Sequence, residues 1–157
     1  MPGLEDLYRE IILDHYRNPR NRGELPVPPA HMSEGFNPLC GDEIRVFLDV
    51  HDGVVTDIRI AGQGCSISQS SASMMSAAVK GKTVTDARRL LGAFKAMMSV
   101  HEAGPDGAEA DGEHAHDGVK LGDLEALQGV VKFPVRIKCA TLAWNTLGQG
   151  LDDTTSA

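Results

Sequence analysis

From Glu43 to Ile60 apolar residues recur at every second position. Ile44, Val46, Leu48 and Val50 are apolar on one side of His51-Asp52-Gly53, and Val54, Thr56, Ile58 and Ile60 answer on the other. Such a pattern about a turn predicts an antiparallel β-hairpin with one face buried and the other facing water. A half-buried hairpin needs a cover, and the flanking sequence reads as helices. Leu4, Leu7, Tyr8, Ile11 and Ile12 recur at helical spacing over 4–17, before the breaker Asn18-Pro19. Cys65 opens a Ser/Ala-rich helix that Gly81 closes. Thr83 caps a third helix over about 84–100, whose face is Val84, Ala87, Leu90, Leu91, Phe94, Met97 and Met98. Leu121–Leu127 reads as a short helix, and Pro134 starts a last helix that Gly148 stops. Residues 18–39, rich in proline, read as an extended connection. The order helix, hairpin, helix, helix, loop, helix predicts an α+β fold: a small antiparallel sheet packed against helices on one side. Residues 1–157 read as a single domain with an acidic insertion at about 101–118.

Charge excludes two classes of partner. The formal net charge is -7, and the segment 101–118 alone carries six acids with no lysine or arginine, so the rest is nearly neutral. Neither nucleic acid nor an anionic membrane is expected as a partner, because both require a concentrated basic face. The first sixteen residues lack the pattern of a signal peptide, and no apolar run is long enough to span a membrane, so a cytoplasmic location is expected. In that reducing compartment three cysteines, separated by 25 and 74 residues, argue against a disulfide framework.

The cysteines point instead to metal or thiol chemistry. Cys65 and Cys139 fall near predicted helix N-termini, where unpaired backbone N–H groups favour a thiolate. Cys40 and Asp42 share a strand face by the two-residue period and lead into the hairpin that delivers Cys65. Cys40, Asp42, Cys65 and Cys139 are therefore candidate ligands, a set that suits zinc or iron. Arg136 and Lys138 supply positive charge close to Cys139. Spacing alone favours a plainer alternative, three buried and unreactive cysteines. His101, His114 and His116 read as solvated residues of the acidic loop, His15 as a helix-end residue and His51 as part of a turn.

Four stretches in order, "LYREIILDHYRNPRNRG", "NPLCGDEI", "GQGCSISQSSASMM" and "FPVRIKCATLAWNTL", resemble the U-type iron–sulfur assembly proteins, the IscU/NifU N-terminal family, and most closely its SufU branch. The resemblance runs from about residue 4 to 148. It favours the SufU branch through the long insertion between Cys65 and Cys139, and through Lys138, where IscU-like members carry histidine. Only Phe133-Pro134-Val135-Arg136 stands where IscU has its chaperone-recognition stretch.

The resemblance implies an IscU/SufU-like α+β fold with a metal site at Cys40, Asp42, Cys65 and Cys139. It implies a zinc-containing sulfur acceptor, a carrier rather than a self-sufficient enzyme, that takes persulfide sulfur from a SufS-type cysteine desulfurase. Cys40 would receive the sulfur and Arg136 would assist. Downstream scaffold or acceptor proteins are implied as further partners. The alternatives are an IscU-like scaffold that builds a [2Fe-2S] cluster or holds iron at the same residues, and a structural zinc module used only for interactions.

Overall fold

The computed structural model describes residues 4–27, 30–38, 41–98, 122–132 and 134–155. Cys40 and the acidic segment 101–118, with His101, His114 and His116, lie outside these residues.

The hairpin forms as predicted, from β2 (Asp42–His51) and β3 (Val54–Gln63). Asp52 (φ 53°) and Gly53 (φ 76°) both sit in the left-handed region, which a two-residue turn matched to the strand twist requires. Ile44, Val46 and Leu48 pair with Gly62, Ile60 and Ile58 and, apart from the glycine, are buried with them. One detail departs from the alternation. The register steps from Asp49↔Asp57 to Val50↔Val55, leaving Thr56 unopposed, and its hydroxyl donates to the Asp49 carbonyl at 2.9 Å. This bulge moves the inner face by one residue, so Val55 is buried in place of Val54 or Thr56.

A third strand, β1 (His31–Asn37), lies within the segment expected to be a plain connection. It pairs antiparallel with β2, with Gly35 opposite Ile44 and Asn37 opposite Asp42, and the sheet order is β1-β2-β3. The strand is hard to read because its inner row is Ser33, Gly35 and Asn37, small or polar residues rather than Val or Ile. The reason is close packing by the last helix, α4 (Pro134–Thr155). A Cβ on Gly35 would run into the Thr146 hydroxyl and lie 3.1 Å from Leu142 Cδ1; one on Gly150 would come within 2.9 Å of Leu48 and 3.0 Å of Ser33. Gly35→Ala is accordingly expected to push α4 off the sheet and lower stability by about 1–3 kcal/mol in urea denaturation.

Helix α4 does not stop at Gly148. It continues to Thr155, because Leu147 and Leu151 are fully buried. Burying such a side chain is worth about 1.5–3 kcal/mol, which outweighs roughly 1 kcal/mol per internal glycine.

The other helices follow the periodicity. Helix α1 spans Leu4–Arg17, with Ile11 and Ile12 packed against the core. His15 lies in the last turn of this helix, as read from the sequence, and is buried, with Nδ1 2.8 Å from the Ser73 hydroxyl. Helix α2 spans Ser66–Val79, and α3 covers 84–98 behind Thr83, whose Oγ1 accepts from the Asp86 N–H at 3.0 Å. The short helix expected at Leu121–Leu127 is of the 3-10 type and runs from Gly122 to Lys132, burying Leu124, Leu127 and Val130. Residues 21–23 lie along β3, where the Asn21 carbonyl accepts from Ile60 N–H and Ile60 in turn accepts from Gly23 N–H. Helices α2 and α4 cover the inner face of the sheet, and α4 carries Trp144, stacked on Phe94 with ring centroids 4.5 Å apart. Among the described residues no helix is long and apolar enough to cross a membrane.

Candidate metal centre

Three of the four candidate ligands meet at one end of the sheet. A carboxylate oxygen of Asp42 and the sulfurs of Cys65 and Cys139 lie within 4.8 Å of one another. Each arrives on a different element. Asp42 is the first residue of β2, Cys65 is the N-cap of α2 after the hairpin has returned the chain, and Cys139 comes from α4, which crosses the sheet.

The local bonds define the role of each group. Asp42 is fully buried; its Oδ1 accepts the Cys65 backbone N–H at 2.9 Å, and Oδ2 is 3.9 Å from the Cys65 sulfur. The Cys65 sulfur caps α2 by accepting the Ser68 N–H at 3.5 Å. It therefore faces the positive end of a helix, as its position in the sequence predicts. Cys139 differs. It is the sixth residue of α4, past the first turn, and is fully buried, so the end of the helix dipole does little for it. Its sulfur lies 3.8 Å from the side-chain nitrogen of Asn37 and 3.9 Å from the Val135 carbonyl. Sequence reasoning missed Asn37, because the strand that carries it has no apolar alternation.

Gly64 makes the arrangement possible. A Cβ there would strike Asp42 Oδ1 and come within 2.6 Å of the Ser68 hydroxyl. Arg136 is exposed on α4, one turn before Cys139, and Lys138 is exposed beside it. The Cys65 side chain is only half-buried, so the centre opens to solvent on that side.

Two thiols and a carboxylate gathered in a largely buried corner suit a borderline-soft divalent cation. Deprotonated, they would repel one another unless a positive charge sat among them. The donor set fits zinc. It also fits iron, since the cysteines are the usual ligands of clusters.

A three-stranded antiparallel sheet covered by helices, with an Asp-Cys-Cys corner at its end, defines a metal- or sulfur-handling α+β domain. The chain matches the family model for the NifU-like N terminal domain over residues 7–140 and belongs to that family. It is 45% identical over 148 residues to a Bacillus subtilis protein described as the zinc-dependent sulfurtransferase SufU, covering 94% of this chain and 91% of that one. It is 36% identical over 154 residues to the Streptococcus pyogenes iron-sulfur cluster assembly scaffold protein IscU, covering 98% and 88%. Among solved structures, a Fervidobacterium islandicum protein described as an iron-sulfur cluster assembly scaffold for the SUF system superposes with a TM-score of 0.74 at 28% identity, over 95% of this chain and 99% of that one.

Proposed function

We propose that the protein is a zinc-containing sulfur acceptor for iron–sulfur cluster assembly, working in the cytoplasm with a SufS-type cysteine desulfurase as donor and cluster scaffold or acceptor proteins downstream. The observation that carries this reading is the convergence of Asp42, Cys65 and Cys139, joined to 45% identity with the zinc-dependent sulfurtransferase SufU. Cys40, two residues before Asp42 in sequence, completes the ligand set. Bound zinc would hold the thiolates deprotonated and shield them until a partner supplies a competing ligand.

The residues of the chain then divide the work. Asp42 holds the Cys65 backbone through its second oxygen, so the corner keeps its shape when one ligand leaves. Cys40, once free, attacks the outer sulfur of the desulfurase persulfide as a thiolate. A new sulfur–sulfur bond forms on Cys40, the bond within the donor persulfide breaks, and its electron pair leaves on the donor cysteine. The chain therefore gains one sulfur and no net electrons. Arg136, exposed on the rim, offsets the negative charge of the incoming persulfide.

Purified protein is expected to be colourless with one zinc per chain, and to accelerate sulfide release when mixed with the desulfurase, cysteine and a reductant. Cys40→Ala should abolish that acceleration, and Arg136→Ala should weaken it while zinc content stays unchanged. Brown protein with visible charge-transfer absorption would replace this reading with the [2Fe-2S] scaffold. Zinc-loaded protein that accepts no sulfur would replace it with the structural module.

A further inference from the structure

We infer that Asn37 is a positioning residue of the metal centre, whose side-chain amide pins Cys139 as the ligand that stays bound while another cysteine is released. The inference rests on the proposed metal site and adds to it an order of release.

Three observations carry it. Asn37 is buried, 6% exposed, at the end of β1, and its Nδ2 lies 3.8 Å from the Cys139 sulfur. In the sheet it stands directly opposite Asp42, so both side chains project from the same face into the same corner. The sulfur itself is 0% exposed, whereas Cys65 is half-buried.

The chemistry then separates the contacts of Cys139. A thiol can donate to the Val135 carbonyl, 3.9 Å away, but a metal-bound thiolate has no proton and can only accept. On metal binding the Val135 contact loses its proton and the Asn37 contact gains strength, because a donor facing an anion makes the stronger kind of hydrogen bond. Only the nitrogen end of the amide can serve, which fixes its orientation. A ligand sulfur that accepts such a bond is less nucleophilic and is held in place by its neighbour. Burial adds a second barrier, since a persulfide on another protein cannot reach it. Cys139 is therefore the anchor, and transfer falls to another cysteine of the set.

The test compares Asn37→Ala, which removes the donor, with Asn37→Asp, which keeps the shape and replaces the donor with a carboxylate oxygen. Wild-type and variant chains are loaded with cobalt(II) and with zinc. Both variants are expected to show a shifted sulfur-to-cobalt charge-transfer band and to release zinc more readily to a competing chelator, with affinity lowered about 10–100-fold, as loss of a partner to a metal ligand typically does. In the zinc-loaded variants, alkylation mapped by mass spectrometry should rise at Cys139, which in the wild type should be the slowest cysteine to react. Circular dichroism and urea denaturation verify that both chains are folded; if Asn37→Ala fails this check, Asn37→Asp alone decides. Unchanged cobalt spectra, zinc release and alkylation order in a folded variant would overturn the role of Asn37 and leave the metal site standing. Failure of the site itself has a separate signature, namely wild-type zinc content that persists in Cys65→Ser and in Asp42→Ala.

Discussion

Gly64→Ala is expected to strip the protein of zinc while leaving most of its fold in place. The added methyl would meet Asp42 Oδ1, the Ser68 hydroxyl at 2.6 Å and Asp42 Cγ at 3.0 Å. Asp42 is fully buried, so it has no solvent-side space into which it can withdraw. Its carboxylate must rotate, losing the Cys65 N–H bond at 2.9 Å and taking its oxygen away from the two sulfurs. Disturbing a ligand directly should weaken binding by at least the roughly 100-fold upper range seen when only a supporting hydrogen bond is lost. The cost to folding is smaller, about 1–3 kcal/mol for one broken buried bond. Competition with a coloured chelator measures the first quantity and urea denaturation the second. Wild-type zinc affinity in the alanine variant would show that Asp42 is no ligand.

Trp144→Ala should be the most damaging single change to the fold. The indole is fully buried, stacks on Phe94 at 4.5 Å and 15°, and donates its N–H to the Ser71 hydroxyl at 3.1 Å. Truncations of this kind cost about 3–5 kcal/mol through the cavity they leave. The lost ring pair is worth a further ~0.5–1.5 kcal/mol beyond its buried area. Against a total of about 5–15 kcal/mol for a typical domain, that removes a large share. Trp144 is the only tryptophan in the chain, so unfolding must be followed by circular dichroism. Trp144→Phe keeps the stack and should retain most of the stability; equal midpoints for the alanine variant and wild type would contradict the packing argument.

What the sequence made legible, and what it hid, has a common physical origin. The hairpin was plain because Ile44, Val46, Leu48, Ile58 and Ile60 face a deep core, and the periodicity of α1 and α3 was equally clear. Strand β1 was hidden because α4 lies so close that only Ser33, Gly35 and Asn37 fit on its inner row. The same closeness carried α4 past Gly148, since Gly150 serves as a contact point with Leu48 and Ser33 rather than as a terminator. At the site, Asp42, Cys65 and Cys139 were recoverable because thiols are scarce in this chain and each sits next to a recognisable element boundary or helix. Asn37 carries no such flag, and its role emerges only from strand pairing and its contact with the Cys139 sulfur. The sequence places Cys139 near a helix end, whereas its sulfur is seated beside Asn37 past the first turn.

Ser71 has a wider consequence. Its hydroxyl donates to the Ala140 carbonyl at 2.6 Å while accepting from the Trp144 indole, so one side chain of α2 grips α4 next to Cys139. The two cysteine-bearing helices are thus held at a set separation by bonds made entirely of protein. In the function proposed above, a chain built this way would keep its geometry between successive rounds of loading and delivery. Emptying and refilling the corner becomes a local exchange, unlike small zinc modules whose folding stands or falls with their ion.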